Sequence, residues 1–171
     1  MNYQKVVLTN GGIIYIDWEN KVITLPRIIM KNKDENLPEF TLALPKQVIE
    51  ILKDTQQITG WGTWIFHGIS NFHNHISSET CNKALRSMGF NDEANGRKQS
   101  LHSFRGTFRS LADTRHQEHQ ASFETKEAIL DHHTTNTTVK AYNHKADYTE
   151  QMRSLSQWWA NYLDELKTKK F

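Results

Sequence analysis

Two short patterns hold most of the residues able to do chemistry. In "LHSFRGTFRS", His102 and Arg105 stand at i and i+3, so on a helix both side chains leave one face, and Arg109 extends that face by a turn. Leu101, Phe104, Phe108 and Leu111 fall on the other side, where they are expected to anchor the helix to a core. Further on, "AILDHHTTNTTVKAYNH" brings the pair His132 and His133 after an apolar turn, then Tyr142 ten residues past His132. Together these are the groups a phosphate site needs. Arginine offers a planar fork of donors to two oxygens at once, and histidine donates or moves protons near neutral pH. A tyrosine nearby could attack that phosphate through its phenol oxygen.

The elements that must position these groups follow from periodicity and punctuation. "IIYIDW" and "KVITL" are short β-rich runs around an "EN" turn, and "EFTLAL" follows a polar stretch. They predict a small antiparallel sheet at about residues 13–17, 21–26 and 39–44, with "IIM" a possible extension of the second strand. "KVVL" fits either a short strand or the tail of a helix, and "TNGG" after it signals a turn. Pro45 opens a helix striped by Val48, Ile49 and Leu52. "WGTWIF" is expected to be a buried connection. A helix capped by Ser77 or Ser78 follows, with Thr80, Ala84, Leu85 and Met88 on its core side and Gly89 as its stop. Ser100 is placed to cap the His102 helix and Ser122 to cap "FETKEAILDH". "TTVKAYNH" is expected to be a short helix or turn carrying Tyr142. In the last helix Tyr148, Met152, Leu155, Trp159, Tyr162 and Leu166 recur at spacings of four and three, one strong apolar stripe.

Composition narrows the setting without deciding it. A chain of 171 residues suits a single domain with a real core. Its formal net charge is only +2, so a nucleic-acid surface would have to come from local clustering of cations. Cys81 is the sole cysteine, which precludes an internal disulfide and weakly favours a reducing compartment. No apolar run approaches the roughly 20 residues of a membrane span, and the N-terminus lacks a signal-peptide pattern. The expected setting is cytoplasmic, with no membrane partner.

In their order the motifs resemble the tyrosine recombinases, and within them the integrases of prophages and genomic islands. "LHSFRGTF" is similar to the family's His-x-x-Arg box, "AILDHH" to its second-histidine box, and "VKAYNHKADY" to its nucleophile segment. The flanks "IDWENKVITLP" and "QMRSLSQWWANYLDEL" extend the likeness over most of the chain. The resemblance implies a mainly α fold with a small antiparallel sheet near the N-terminus (α+β), the integrase catalytic domain truncated at its N-terminal side. That would be one domain over residues 1–171, with the sheet in 13–44 and the helical part in 45–171. It implies site-specific DNA recombination and integration through a covalent 3′-phosphotyrosine. Tyr142 would be the nucleophile, Arg105, His102 and His132 the phosphate ligands and proton carriers, and Lys31 in "MKNK" the acid for the leaving 5′ oxygen. The scheme requires no metal or other cofactor. Double-stranded DNA would be the partner, with other recombinase subunits in a synaptic complex. Arg109, Lys33, Arg97, Lys98, Lys83 and Arg86 are the candidate DNA contacts.

Several alternatives stand beside these assignments. Lys33 can replace Lys31, and His133 can replace His132; without the resemblance both lysines read as solvated loop charge. Tyr148 rivals Tyr142 by residue type, although it begins the stripe of the last helix. His116, His119, His132 and His133 could form a zinc site, but the absence of cysteine partners argues against one. The family also has an earlier catalytic arginine. Here no arginine precedes Arg27, which lies after the second predicted strand. The chain is therefore expected to be a fragment or truncated relative that cleaves weakly or not at all alone, the alternative being a non-catalytic DNA-binding or recombinase-interacting remnant.

Overall fold

The computed structural model describes residues 3–7, 13–34, 36–62, 64–77, 79–132 and 147–169. Four strands, β1 (Tyr3–Val7), β2 (Ile13–Asp17), β3 (Val22–Leu25) and β4 (Phe40–Ala43), form an antiparallel sheet in chain order. Tyr3–Val7, which takes in Lys5, Val6 and Val7 of the "KVVL" run, is thus an edge strand, pairing Tyr3 with Asp17 through Val7 with Ile13. The β2–β3 turn is held locally. The Asp17 carboxylate accepts the backbone N–H groups of Glu19 and Asn20, both at 3.0 Å, and the Asn20 side-chain amide at 2.7 Å. Ile14 and Ile16, two apart on a strand, both face inward and are buried. Ile16 joins Leu44 and Ile49 in one apolar cluster, lined by Trp18, Ile23, Val48, Leu52 and Ile65.

The helices are α1 (Lys46–Thr59), α2 (Thr80–Ser87), α3 (Leu101–Thr114), α4 (His116–His119), α5 (Phe123–Ala128) and α6 (Thr149–Thr168). The α6 stripe buries Met152 and Leu155 as its periodicity predicts, and α6 packs on β4, α1, α4 and α5. A second cluster joins Phe108 and Ala112 of α3, Leu130 after α5, and Leu155 of α6. Trp159 meets the Phe108 ring edge-on, with centroids 5.3 Å apart. Among the described residues no helix is long and apolar enough to cross a membrane.

Five local expectations are corrected. "IIM" does not extend β3: Pro26 ends the strand and Arg27–Ile29 form a 3-10 turn. The "WGTWIF" connection is largely outward, with Trp61 65% and Phe66 51% exposed, because the chain there folds back on itself instead of under the core. Its rings pack on one another, Trp61 against Phe72 and Trp64 against His75. Helix α2 buries none of its residues and Met88 is exposed, so its apolar positions do not build a core. Ser77 accepts the Glu79 N–H but does not cap the helix itself, whose N-cap is Glu79. Leu101 and Phe104 are also exposed, so only the second half of α3 is anchored, through Phe108 and Ala112.

Candidate active site

Helix α3 begins at a reciprocal cap. Ser100 Oγ accepts the Ser103 N–H and Ser103 Oγ accepts the Ser100 N–H, a capping box with serine in the place usually taken by glutamate. The Leu101 N–H adds a bond to Asn82 Oδ1 at 3.0 Å, tying this end to α2. The cap fixes where the helix starts and hence the phase of every side chain after it. His102 sits in the first turn, exposed, with no hydrogen bond among the described residues, and Arg105 follows one turn later.

The partner element arrives from α5. Ser122 Oγ accepts the Thr125 N–H at 3.1 Å and starts the helix as its sequence predicts. The helix closes in a Schellman turn: the His132 N–H reaches the Glu127 carbonyl at 2.9 Å and the Asp131 N–H reaches Ala128 at 3.0 Å. Asp131 takes the left-handed conformation, φ +51°, that this turn requires. A Schellman turn brings the residue after its left-handed position back over the helix's last turn. Here it sets His132 Nδ1 3.1 Å from Glu127 Oε2. Leu130, between them, is buried in the second apolar cluster.

That anchoring decides the geometry at Arg105. Its guanidinium donates to the Leu130 carbonyl, and the same nitrogen lies 3.3 Å from His132 Nε2. Arginine has donors only, so in this contact Nε2 accepts. In the neutral ring Nδ1 then carries the proton and donates it to Glu127. Glu127 also accepts from Arg109 Nε at 2.7 Å, and Arg109 pairs with Asp113, which accepts from buried Lys126 at 2.5 Å. These contacts hold the Asp113 carboxyl below its ordinary range, Arg109 first and Lys126 second, and raise the Arg109 guanidinium in turn, again chiefly through Asp113. An alternating chain of charges therefore backs the Arg105–His132 pair.

The remaining site candidates fall in different places. Arg109 faces these carboxylates and the Phe123 ring, 5.1 Å from its centroid, and not an open surface. Lys31 and Lys33 are exposed in the β3–β4 loop, and Lys83 is exposed on α2. Arg86, Arg97 and Lys98 pair with Glu79, Asp92 and Glu93 in solvent, where such contacts are weak. Tyr142 and His133 lie outside the described residues. Tyr148 immediately precedes α6, and burial followed by the Glu124 charge pushes its phenol pKa up, which disfavours the phenolate. His119 commits both ring nitrogens, Nε2 to the Ala112 carbonyl at 2.8 Å and Nδ1 to the Ala121 N–H at 3.0 Å. Among the described residues no group of three or more His, Cys, Asp or Glu could hold a metal ion. Sequence reasoning missed Glu127: five residues before His132, it is off the i+4 spacing, and only the turn brings them together.

The chain that carries Arg105 and His132 resembles known proteins along most of its length. Residues 13–149 match the phage integrase family. The chain belongs to the phage integrase family. It is 34% identical over 122 residues to the IntB protein of Escherichia coli (strain K12), covering 71% of this chain and 29% of that one. It is 27% identical over 151 residues to the integrase of Shigella phage Sf6, covering 88% and 36%. The integrase of Enterobacteria phage P4 is 29% identical over 143 residues, covering 82% and 30%. The chain thus spans about a third of the length of the integrases it matches. No solved structure matches it.

Proposed function

We propose that this chain supplies the later part of a tyrosine recombinase catalytic domain, acting on double-stranded DNA in the cytoplasm together with other recombinase subunits. Sheet and helices would serve as one domain over residues 1–171. The observation that carries the reading is the approach of Arg105 to His132, 27 residues apart in sequence and 3.3 Å apart in space. A backbone phosphate entering there takes donors from Arg105 and an imidazole. The Tyr142 oxygen bonds to phosphorus as the bond to the 5′ oxygen breaks. The phenol proton passes to His102, and Lys31 gives a proton to the leaving oxygen. The freed 5′ hydroxyl can later attack a phosphotyrosine on another strand, so the exchange needs no external energy source.

Within the 171 residues no arginine precedes Arg27, so these residues do not supply the earlier arginine that the resemblance implies. Loss of one preorganised donor typically lowers rate by about 100- to 1,000-fold. The chain expressed alone is therefore expected to trap a nicked duplex on Tyr142 weakly, with Tyr142→Phe removing the residual adduct. Efficient trapping by the wild type would refute the deficit, and an adduct surviving in Tyr142→Phe would refute the nucleophile.

A second reading, a non-catalytic DNA-binding or recombinase-interacting remnant, is favoured by the lack of an arginine before Arg27 and the formal net charge of only +2. It predicts salt-sensitive duplex binding, equal in wild type and Tyr142→Phe, with no adduct in either.

A further inference from the structure

Arg27 is the most deeply buried arginine among the described residues, with its side chain 8% exposed, and the chemistry above gives it no task. It stands at the start of the loop that carries Lys31. Its Nε donates to the Pro38 carbonyl at 2.5 Å, at the far end of the same loop, closing it at the base. Its Nη1 donates to both carboxylate oxygens of Asp131, at 2.7 and 2.9 Å, across 104 residues of sequence. Asp131, itself only 12% exposed in its side chain, is the left-handed residue of the turn that presents His132. One guanidinium therefore grips both ends of the lysine loop and the turn behind the histidine. A planar fork suits this, since it can serve two partners in fixed directions at once, which an ammonium cannot.

We propose that Arg27 is a positioning residue that fixes the Lys31 loop to the His132 turn, so that the leaving-group acid and the phosphate-binding imidazole hold one mutual geometry. The inference rests on the proposed recombinase chemistry for its purpose, but its structural content can be tested without that chemistry. Asp131→Asn is the sharpest variant. Asparagine tolerates the left-handed conformation, so the turn is kept while the ion pair is removed.

Amide hydrogen exchange on the whole chain should then show residues 28–37 exchanging roughly tenfold faster or more, while α6 and the β2–β3 amides keep their protection. Unchanged exchange in 28–37 overturns the proposal. Should Asp131→Asn lose protection everywhere, Arg27→Lys decides: it keeps the buried charge, and selective loosening of 28–37 supports the clamp while its absence overturns it. The functional arm compares adduct formation on ordinary DNA with that on DNA bearing a bridging 5′ sulfur, whose thiolate leaves without needing a proton. Asp131→Asn should lose about 10- to 100-fold on ordinary DNA and recover with sulfur, since misplacement of a catalytic group by an ångström costs on that order. Loss that sulfur does not restore overturns the link to Lys31. Absence of an adduct with either substrate in the wild type sinks the recombinase reading for this chain, and the exchange comparison still decides on the clamp.

Discussion

Glu127 occupies the junction of two ion-pair systems. One carboxylate oxygen takes Arg109 Nε and the other faces His132 Nδ1. Glu127 accepts at Nδ1 while Arg105 presents only donors to Nε2, so both contacts hold the ring proton on Nδ1 and leave a lone pair on Nε2. A phosphate arriving between Arg105 and His132 meets a lone pair on that nitrogen. The ring must gain a proton or turn before it can donate, so the resting tautomer sets the order of events. Glu127→Ala is expected to shift neutral His132 toward the tautomer protonated at Nε2. Nitrogen-15 spectra of the labelled histidine ring would read this directly, and an unchanged tautomer ratio would assign the preference to Arg105 alone. Residues of this kind are poorly legible in sequence. His102, Arg105 and His132 stand out by spacing and likeness to a family, whereas Glu127 and Arg27 act through partners that only a turn or the folded sheet brings near.

At the scale of elements, the caps carry the site's phase. Ser100 begins α3 one residue before Leu101, and everything on that helix, Arg105 included, takes its direction from the start. Replacing Ser100 by Ala should cost about 1 kcal/mol, the usual loss for a serine cap. Urea denaturation would measure it. A change of only a few tenths would mean that the Leu101–Asn82 bond carries this end instead. Ser100 and Ser122 were both readable in advance, because a cap is a local bargain between a side chain and the backbone two or three residues on. The cover over α2 was not. Its apolar positions share one side, as a core-facing helix requires, yet none is buried, since periodicity marks a face without saying whether anything lies against it. The aromatic run near Trp61 fails for the same reason. Tryptophan and phenylalanine report a wish to be dry, and in this chain they satisfy it partly on one another.

Across the whole molecule α6 packs on the sheet and on α1, α3, α4 and α5, and Leu155, 1% exposed, lies at the meeting point with Phe108, Ala112 and Leu130. Leu155→Ala leaves a hole where those three converge and is expected to cost about 2–5 kcal/mol. Equilibrium unfolding would show it as a lower denaturant midpoint at unchanged slope. A loss below about 1 kcal/mol would mean that the surrounding side chains collapse into the space. Because Leu130 also sets the carbonyl beside Arg105, the same substitution should loosen the site before it unfolds the chain.

Helix α1 has no capping side chain of its own, since Pro45 occupies that position. The Lys46 N–H is instead met by Gln157 Oε1 of α6 at 3.0 Å, from 111 residues further along, and Gln47 bonds Asn161 and Asp164 on the same helix. On the ribosome the first turn of α1 emerges well before the residues that finish it. The opening of this helix therefore waits on residues translated more than a hundred positions later, and the nascent chain settles there only when α6 docks.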